Sequence, residues 1–257
     1  TSSSTRSCPV ARTTRKNPSE PVKDHPPVHA LIPAAGRSVR FGGTTLKQYA
    51  HLMGIPVIAH SIDAVSRHPS VASVTVALAD DDGIYDELVR PEWPGVRTAI
   101  GGDSRARTVL NGLKAIMAAE PDCQWVMVHD AARPCLDRES LDSLLTRGLA
   151  SDSGAILAVP VADTLKEAGE GERIERTVDR SKFWAAQTPQ LFRAEELAVN
   201  LQAALNAGMR PTDEAAAMEF AGARPLLVQG RTTNIKITGV DDLSLAEFIL
   251  QRQAVRE

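Results

Sequence analysis

Several things are scarce or missing in this chain, and each absence removes a class of protein. Its 257 residues contain three cysteines, Cys8, Cys123 and Cys135, with no Cys-x-x-Cys pair. An odd, scattered set argues against a disulfide framework or a zinc site and fits a reducing compartment. No apolar run approaches the length of a membrane span, so a soluble chain with no membrane partner is expected. Neither Gly-x-x-x-x-Gly-Lys-Ser/Thr nor Gly-x-Gly-x-x-Gly occurs, which excludes a Walker loop and the dinucleotide-binding fingerprint. No Ser-His-Asp order, histidine cluster or internal repeat stands out.

Residues 1–28 also lack the apolar core of a secretory signal. They are rich in Ser, Thr, Arg and Pro, and we read them as a disordered extension preceding one domain over residues 29–257. A cytoplasmic location is expected, with a plastid as the alternative should the extension be a transit peptide. The extension holds five Lys/Arg against Glu20 and Asp24, a net of +3, so the rest of the chain carries −6 of the total of −3. A body this acidic excludes a general nucleic-acid binder.

Apolar runs alternate with helical patterns. Strands are expected at His29–Pro33, Val71–Ala79, Val96–Ile100, Trp125–His129, Ala155–Val161, Pro225–Gln229 and Asn234–Thr238. Helices are expected at Val57–Arg67, Asp82–Arg90, Arg105–Ala118, Arg138–Ala150, Ala194–Ala207, Asp213–Ala221 and Asp241–Arg252. Val74–Leu78 and Ile156–Val159 are near-continuous apolar stretches, as in strands buried on both faces. The rhythm predicts an α/β, Rossmann-like fold with a mostly parallel twisted sheet flanked by helices. Residues 162–186 break the rhythm. They are polar, with Gly169 and Gly171 central, and read as a protruding β-hairpin that must lie on a neighbouring surface. Ser104 and Thr212 precede helical patterns as caps, and Asp213 and Glu214 place two acids where a helix dipole favours them.

The segment from Pro33 to Tyr49, PAAGRSVRFGGTTLKQY, holds Gly36, Gly42 and Gly43 with Arg37, Arg40 and Lys47. Between Ala35 and Gln48 there is no acidic residue. A glycine-rich cationic loop after a first strand suits a polyphosphate, because backbone N–H groups approach closely and the cations neutralise charge. Open α/β sheets bind ligands at that edge. Asp130, at the end of the strand Trp125–His129, is placed to anchor Mg²⁺, which takes one or two carboxylates plus phosphates and water.

Pro33–Gly36, Arg40 and Lys47-Gln48-Tyr49 resemble the signature of the nucleoside-diphosphate-sugar type nucleotidyltransferases, and within them the 2-C-methyl-D-erythritol 4-phosphate cytidylyltransferase family of the non-mevalonate isoprenoid pathway. Gly101–Arg105, His129–Pro134, Asp163-Thr164, Thr177–Arg180, Gln187–Gln190, Thr212–Glu214 and Asn234–Lys236 follow in the same order. The resemblance covers about Ala30 to Ile249.

The resemblance implies transfer of CMP from CTP to the polyol phosphate, with Mg²⁺ as cofactor and pyrophosphate as the second product. Arg40 and Lys47 would be the transition-state cations, joined by Lys236. Pro33, Ala34, Ala35, Gly36, Gly101, Gly102, Asp103 and Thr108 would bind the nucleotide, Thr108 standing where the family usually has Ser. Asp130, Ala131, Arg133, Thr164, Arg180, Thr188 and Lys236 would bind the polyol phosphate. The hairpin would clasp a second subunit and make a homodimer. His129, Trp125 and Trp184 read as packing residues. Two other readings suit the same residues: a cytidylyltransferase for ribitol 5-phosphate or another polyol phosphate, and a non-catalytic nucleotide-binding protein.

Overall fold

The computed structural model of the protein describes residues 25–36 and 46–255. Seven strands form the central sheet: β1 (Val28–Pro33), β4 (Val71–Leu78), β5 (Arg97–Ile100), β6 (Trp125–Val128), β7 (Ala155–Pro160), β10 (Trp184–Arg193) and β11 (Leu226–Gln229). Two short strands, β2 (His51–Leu52) and β3 (Ile55–Pro56), pair with each other, and β8 (Leu165–Ala168) pairs with β9 (Ile174–Val178). The sheet order is β11-β7-β10-β6-β1-β4-β5. Only β10 runs against the rest, antiparallel to both β6 and β7.

The helices are α1 (Val57–Ser66), α2 (Tyr85–Leu88), α3 (Arg105–Ala119), α4 (Arg138–Gly148), α5 (Ala194–Asn206), α6 (Glu214–Phe220) and α7 (Asp241–Ala254). Alternation along the strands sorts them into two layers. Ala30, Ile32, Trp125 and Met127 face the layer holding Ile58 and Ile62 of α1 and Leu141 and Leu144 of α4. Leu31, Val126 and Val128 face α3, α5 and α6 through Leu110, Leu113, Leu201 and Met218. Strands apolar on both faces therefore become the sheet's centre. At Gly112 of α3 an added Cβ would sit 2.4 Å from Leu31 Cδ1, so glycine lets that helix press on β1.

Four expectations need correction. Asn234–Thr238 is not a strand; it is an irregular segment held by tertiary bonds, with Ile237 N–H donating to Ala132 O and the Asn234 side chain donating to Thr188 O. The helix expected at Asp82–Arg90 shrinks to α2, because the Asp82 side chain accepts the N–H groups of Ile84 and Tyr85 and holds the preceding turn. The cap of α6 is Asp213 rather than Thr212, its carboxylate accepting Ala216 N–H at 2.9 Å. Trp184 is 37% exposed, not core packing, whereas Trp125 and His129 are buried.

The hairpin is present as β8 and β9, nearly all of it exposed. Its turn uses Gly171 at φ +67°, a left-handed conformation suited to glycine.

Candidate active site

Four strands, β1, β4, β5 and β6, end at one edge of the sheet, and the loops that follow them frame a cleft of about 720 Å³. The chain runs from β1 outward to β4 and β5, then returns to β6 on the other side of β1. Such a switch point opens a crevice beyond the strands' carboxyl ends.

Pro33, which ends β1, and Ala34–Gly36, which follow it, line the cleft. Gln48, buried in the turn Lys47–Tyr49, donates its amide to Ala34 O at 3.1 Å. That bond fixes the far end of the cationic loop against its start and sets Lys47 in the cleft wall. Arg40 and Arg37 lie outside the described residues.

Gly101, Gly102 and Asp103 follow β5 and also line the cleft. A Cβ on Gly101 would meet Ala35 Cβ at 2.6 Å and Leu78 O at 3.0 Å, so only glycine allows the β1 and β5 loops to approach this closely. The Thr108 hydroxyl accepts Gly102 N–H at 3.1 Å and lies 2.9 Å from Ser104 O. It shapes this loop from beneath, as does Asn111, whose side chain donates to Gly101 O at 2.7 Å.

Asp130 follows β6 and lines the cleft with Ala131. The carboxylate meets three cations. Its Oδ1 accepts Arg105 Nη2 at 3.0 Å and Nε at 3.3 Å. Lys236 Nζ lies 2.8 Å from its Oδ2, and Arg133 Nε lies 3.7 Å away. Burial alone would raise this carboxyl's pKa, but Arg105, Lys236 and Arg133 outweigh burial and hold it well below the usual carboxylate range.

Behind Asp130, the Thr188 hydroxyl accepts Asp130 N–H at 3.0 Å and lies 3.1 Å from His129 Nδ1. His129 Nε2 lies 3.0 Å from Arg133 O. A carbonyl can only accept, so Nε2 carries the proton and Thr188 donates to Nδ1. Burial pushes the His129 pKa down to about 4, which keeps the ring neutral.

The cleft thus gathers Pro33, Ala34, Ala35, Gly36, Lys47, Gly101, Gly102, Asp103, Thr108, Asp130, Ala131 and Lys236. Four expected substrate residues are not among its lining. Arg133 and Thr188 stand behind it, tied to Asn234 O and Asp130 N–H respectively. Thr164 and Arg180 lie at the base of the hairpin, where Arg180 Nη1 donates to Ala162 O.

Two charged residues of the site carried no expected role. Arg105 opens α3, and Glu214, only 1% exposed, opens α6. They form a two-pronged ion pair, Nη1–Oε1 at 2.6 Å and Nη2–Oε2 at 3.1 Å. Both fall in quoted motifs, but a first-turn acid is equally well explained by the helix dipole, which hid the pairing.

A mostly parallel sheet with a cleft of about 720 Å³ at its switch point, lined by Lys47, Lys236 and the ionised Asp130, marks an α/β nucleotidyltransferase. The family model described as 2-C-methyl-D-erythritol 4-phosphate cytidylyltransferase matches residues 28–252. This chain belongs to that family. A relative of that description from Tolumonas auensis is 45% identical over 224 residues, covering 87% of this chain and 96% of its own. One from Shewanella oneidensis is 47% identical over 225 residues, covering 88% and 89%. Among solved structures, a 4-diphosphocytidyl-2C-methyl-D-erythritol synthase superposes with a TM-score of 0.76 at 39% identity, covering 88% of this chain and 99% of its own. The cytidylyltransferase of Thermus thermophilus gives 0.72 at 31% identity, covering 88% and 99%.

Proposed function

We propose that this chain transfers the CMP group of CTP to 2-C-methyl-D-erythritol 4-phosphate, giving the CDP derivative and pyrophosphate for isoprenoid precursor synthesis. One observation carries this reading beyond family membership: Lys47, Lys236 and the ionised Asp130 line the same cleft.

An anionic oxygen of the polyol phosphate attacks the α-phosphorus of CTP. A bond forms there as the bond from that phosphorus to the pyrophosphate oxygen breaks. No general base is needed, since the attacking oxygen carries no proton to remove. Catalysis is then alignment plus charge stabilisation. Lys47 and Arg40 neutralise the triphosphate and the leaving pyrophosphate, Arg40 through a fork and Lys47 as a point charge. The close β1 and β5 loops, from Pro33 to Gly36 and from Gly101 to Asp103, hold base and ribose.

The donor set at Asp130 fits Mg²⁺: its ionised carboxylate faces the cleft, and the nearer of the two cations on its Oδ2 is a half-exposed, flexible lysine. When bound there with the triphosphate oxygens, the ion would supply charge neutralisation at the phosphates. Lys236, in the cleft lining beside Asp130, would meet the incoming phosphate. Thr164 and Arg180 lie on the hairpin, outside their own chain's cleft lining, and we assign them to the cleft of a second subunit in a homodimer. The relatives named above are bacterial, which favours a cytoplasmic enzyme over a plastid one.

A substrate screen tests the reading: CTP against other triphosphates, crossed with methylerythritol, ribitol and other polyol phosphates, following pyrophosphate. Release only with CTP and methylerythritol 4-phosphate is expected. Preference for ribitol 5-phosphate moves the chain to the cousin activity, and CTP binding without release makes it a binding protein.

A further inference from the structure

We propose that Arg105 and Glu214 form a positioning pair that pins one oxygen of Asp130 while leaving that carboxylate's negative charge available to a divalent cation. The inference rests on the cytidylyltransferase reading and concerns residues that reading does not use.

The two oxygens of Asp130 differ in their partners. Oδ1 is held by the half-buried guanidinium of Arg105, through Nη2 at 3.0 Å and Nε at 3.3 Å. Oδ2 faces Lys236, whose side chain is 38% exposed on a flexible stem. One edge is therefore fixed by a planar fork, and the other is covered by an exchangeable point charge. A metal arriving at Oδ2 displaces the lysine, while Arg133 Nε, 3.7 Å from the same oxygen, is held back by its own bond to Asn234 O.

An undivided arginine so close to Asp130 would itself weaken cation binding. Glu214 prevents that. It takes both prongs of the guanidinium, and its shortest contact, 2.6 Å, is closer than either contact to Asp130. Around Asp130 stand three cations, Arg105, Arg133 and Lys236, and Glu214 is the second carboxylate that divides the charge of the first of them. Glu214 lies in an apolar layer beside Ala215 and Met218, where an unpaired carboxylate is costly, so the pair is also mutually required. The arrangement ties α3, which follows β5, to α6, which follows α5, across the floor of the cleft.

The test measures metal binding apart from turnover. Free Mn²⁺, a paramagnetic stand-in for Mg²⁺, is followed by electron paramagnetic resonance in the presence of CTP and without polyol phosphate. CTP affinity in EDTA is measured by calorimetry. In Glu214→Gln the whole charge of Arg105 falls on Asp130. Mn²⁺ binding to the CTP complex should weaken about fivefold or more, CTP affinity in EDTA should hold or tighten, and lost turnover should return at high Mg²⁺. In the apolar double variant Arg105→Met with Glu214→Leu, Mn²⁺ binding should be no weaker than wild type. Turnover should fall without metal rescue, because nothing orients Oδ1. Unchanged Mn²⁺ affinity in folded Glu214→Gln overturns the proposal, as does weaker Mn²⁺ binding in the folded double variant. If neither variant folds, the pair serves folding alone and the proposal is likewise overturned. Wild-type pyrophosphate release in the same preparations tests the enzyme reading separately.

Discussion

The hydroxyl of Thr188 accepts the backbone N–H of Asp130 at 3.0 Å, joining β10 to the loop after β6 at the point where the acid enters the cleft. The register of β10 against β7 shifts between Ala186 and Gln190, and Thr188 lies within that shift. Such irregularities re-aim a side chain, here away from the ladder and onto its neighbour's loop. Replacing Thr188 by Val leaves a buried N–H without a partner. Urea denaturation should show a loss of about 1–3 kcal/mol, and Thr188→Ser should recover most of it. Equal stability of the Val and Ser variants would mean that the bond holds nothing in place.

Lys47 lines the cleft on a turn that Gln48 anchors. Lys47→Ala should lower the rate of pyrophosphate release by about two to three orders of magnitude, as for other transition-state donors, with little loss of fold in thermal unfolding. Wild-type turnover in this variant would remove the residue from the mechanism.

Three histidines away from the cleft carry depressed pKa values. Burial lowers His29, His60 and His68, against the opposing influence of Glu120, of Leu52 O and Asp63, and of Asp142, respectively. As pH falls through the ordinary histidine value near 6.5, the unfolded chain binds protons before the folded one does. Stability contributed by the neutral rings is therefore full above that pH and declines below it, before most carboxylates titrate. The melting temperature should drop between about pH 7.5 and 5.5, and His60→Gln should reduce the drop. A melting temperature independent of pH over that window would contradict the burial argument.

The hairpin of β8 and β9 exposes Ile174, with Phe183 and Trp184 at its base. In the proposed homodimer, Arg180 would enter the partner's cleft. Mixed and refolded, inactive Lys47→Ala and inactive Arg180→Met chains should then regain about one quarter of wild-type activity, since half the dimers are mixed and each has one intact site. No recovery, with dimers present by sedimentation, would place Arg180 in its own chain's site.

Much of the fold was legible. Val74–Leu78 and Ile156–Val159 marked central strands, and α3 begins after Ser104, whose side chain accepts Arg107 N–H as a cap. β10 was hidden because Pro189 sits in the middle of a central strand, where a missing N–H counts against strand structure; the register shift accommodates it. Asn234–Thr238 alternates like a strand but pairs with loops, since Arg133 and Ala132 take its backbone groups.

The order of residues along the chain determined the strand and helix types, the cationic loop after the first strand, and the acid after β6, because each depends on local periodicity and on short-range turn chemistry. Only the folded molecule decided that Lys236 and Arg105 take opposite oxygens of Asp130 and that Glu214 is buried behind them. These partners lie 106, 25 and 84 positions from Asp130, and nothing local couples charges at such separations. Packing of α3 and α6 on one face of the sheet brings Arg105 to Glu214, the bond from Ile237 N–H to Ala132 O carries Lys236 to Asp130, and burial of Glu214 makes its pairing obligatory.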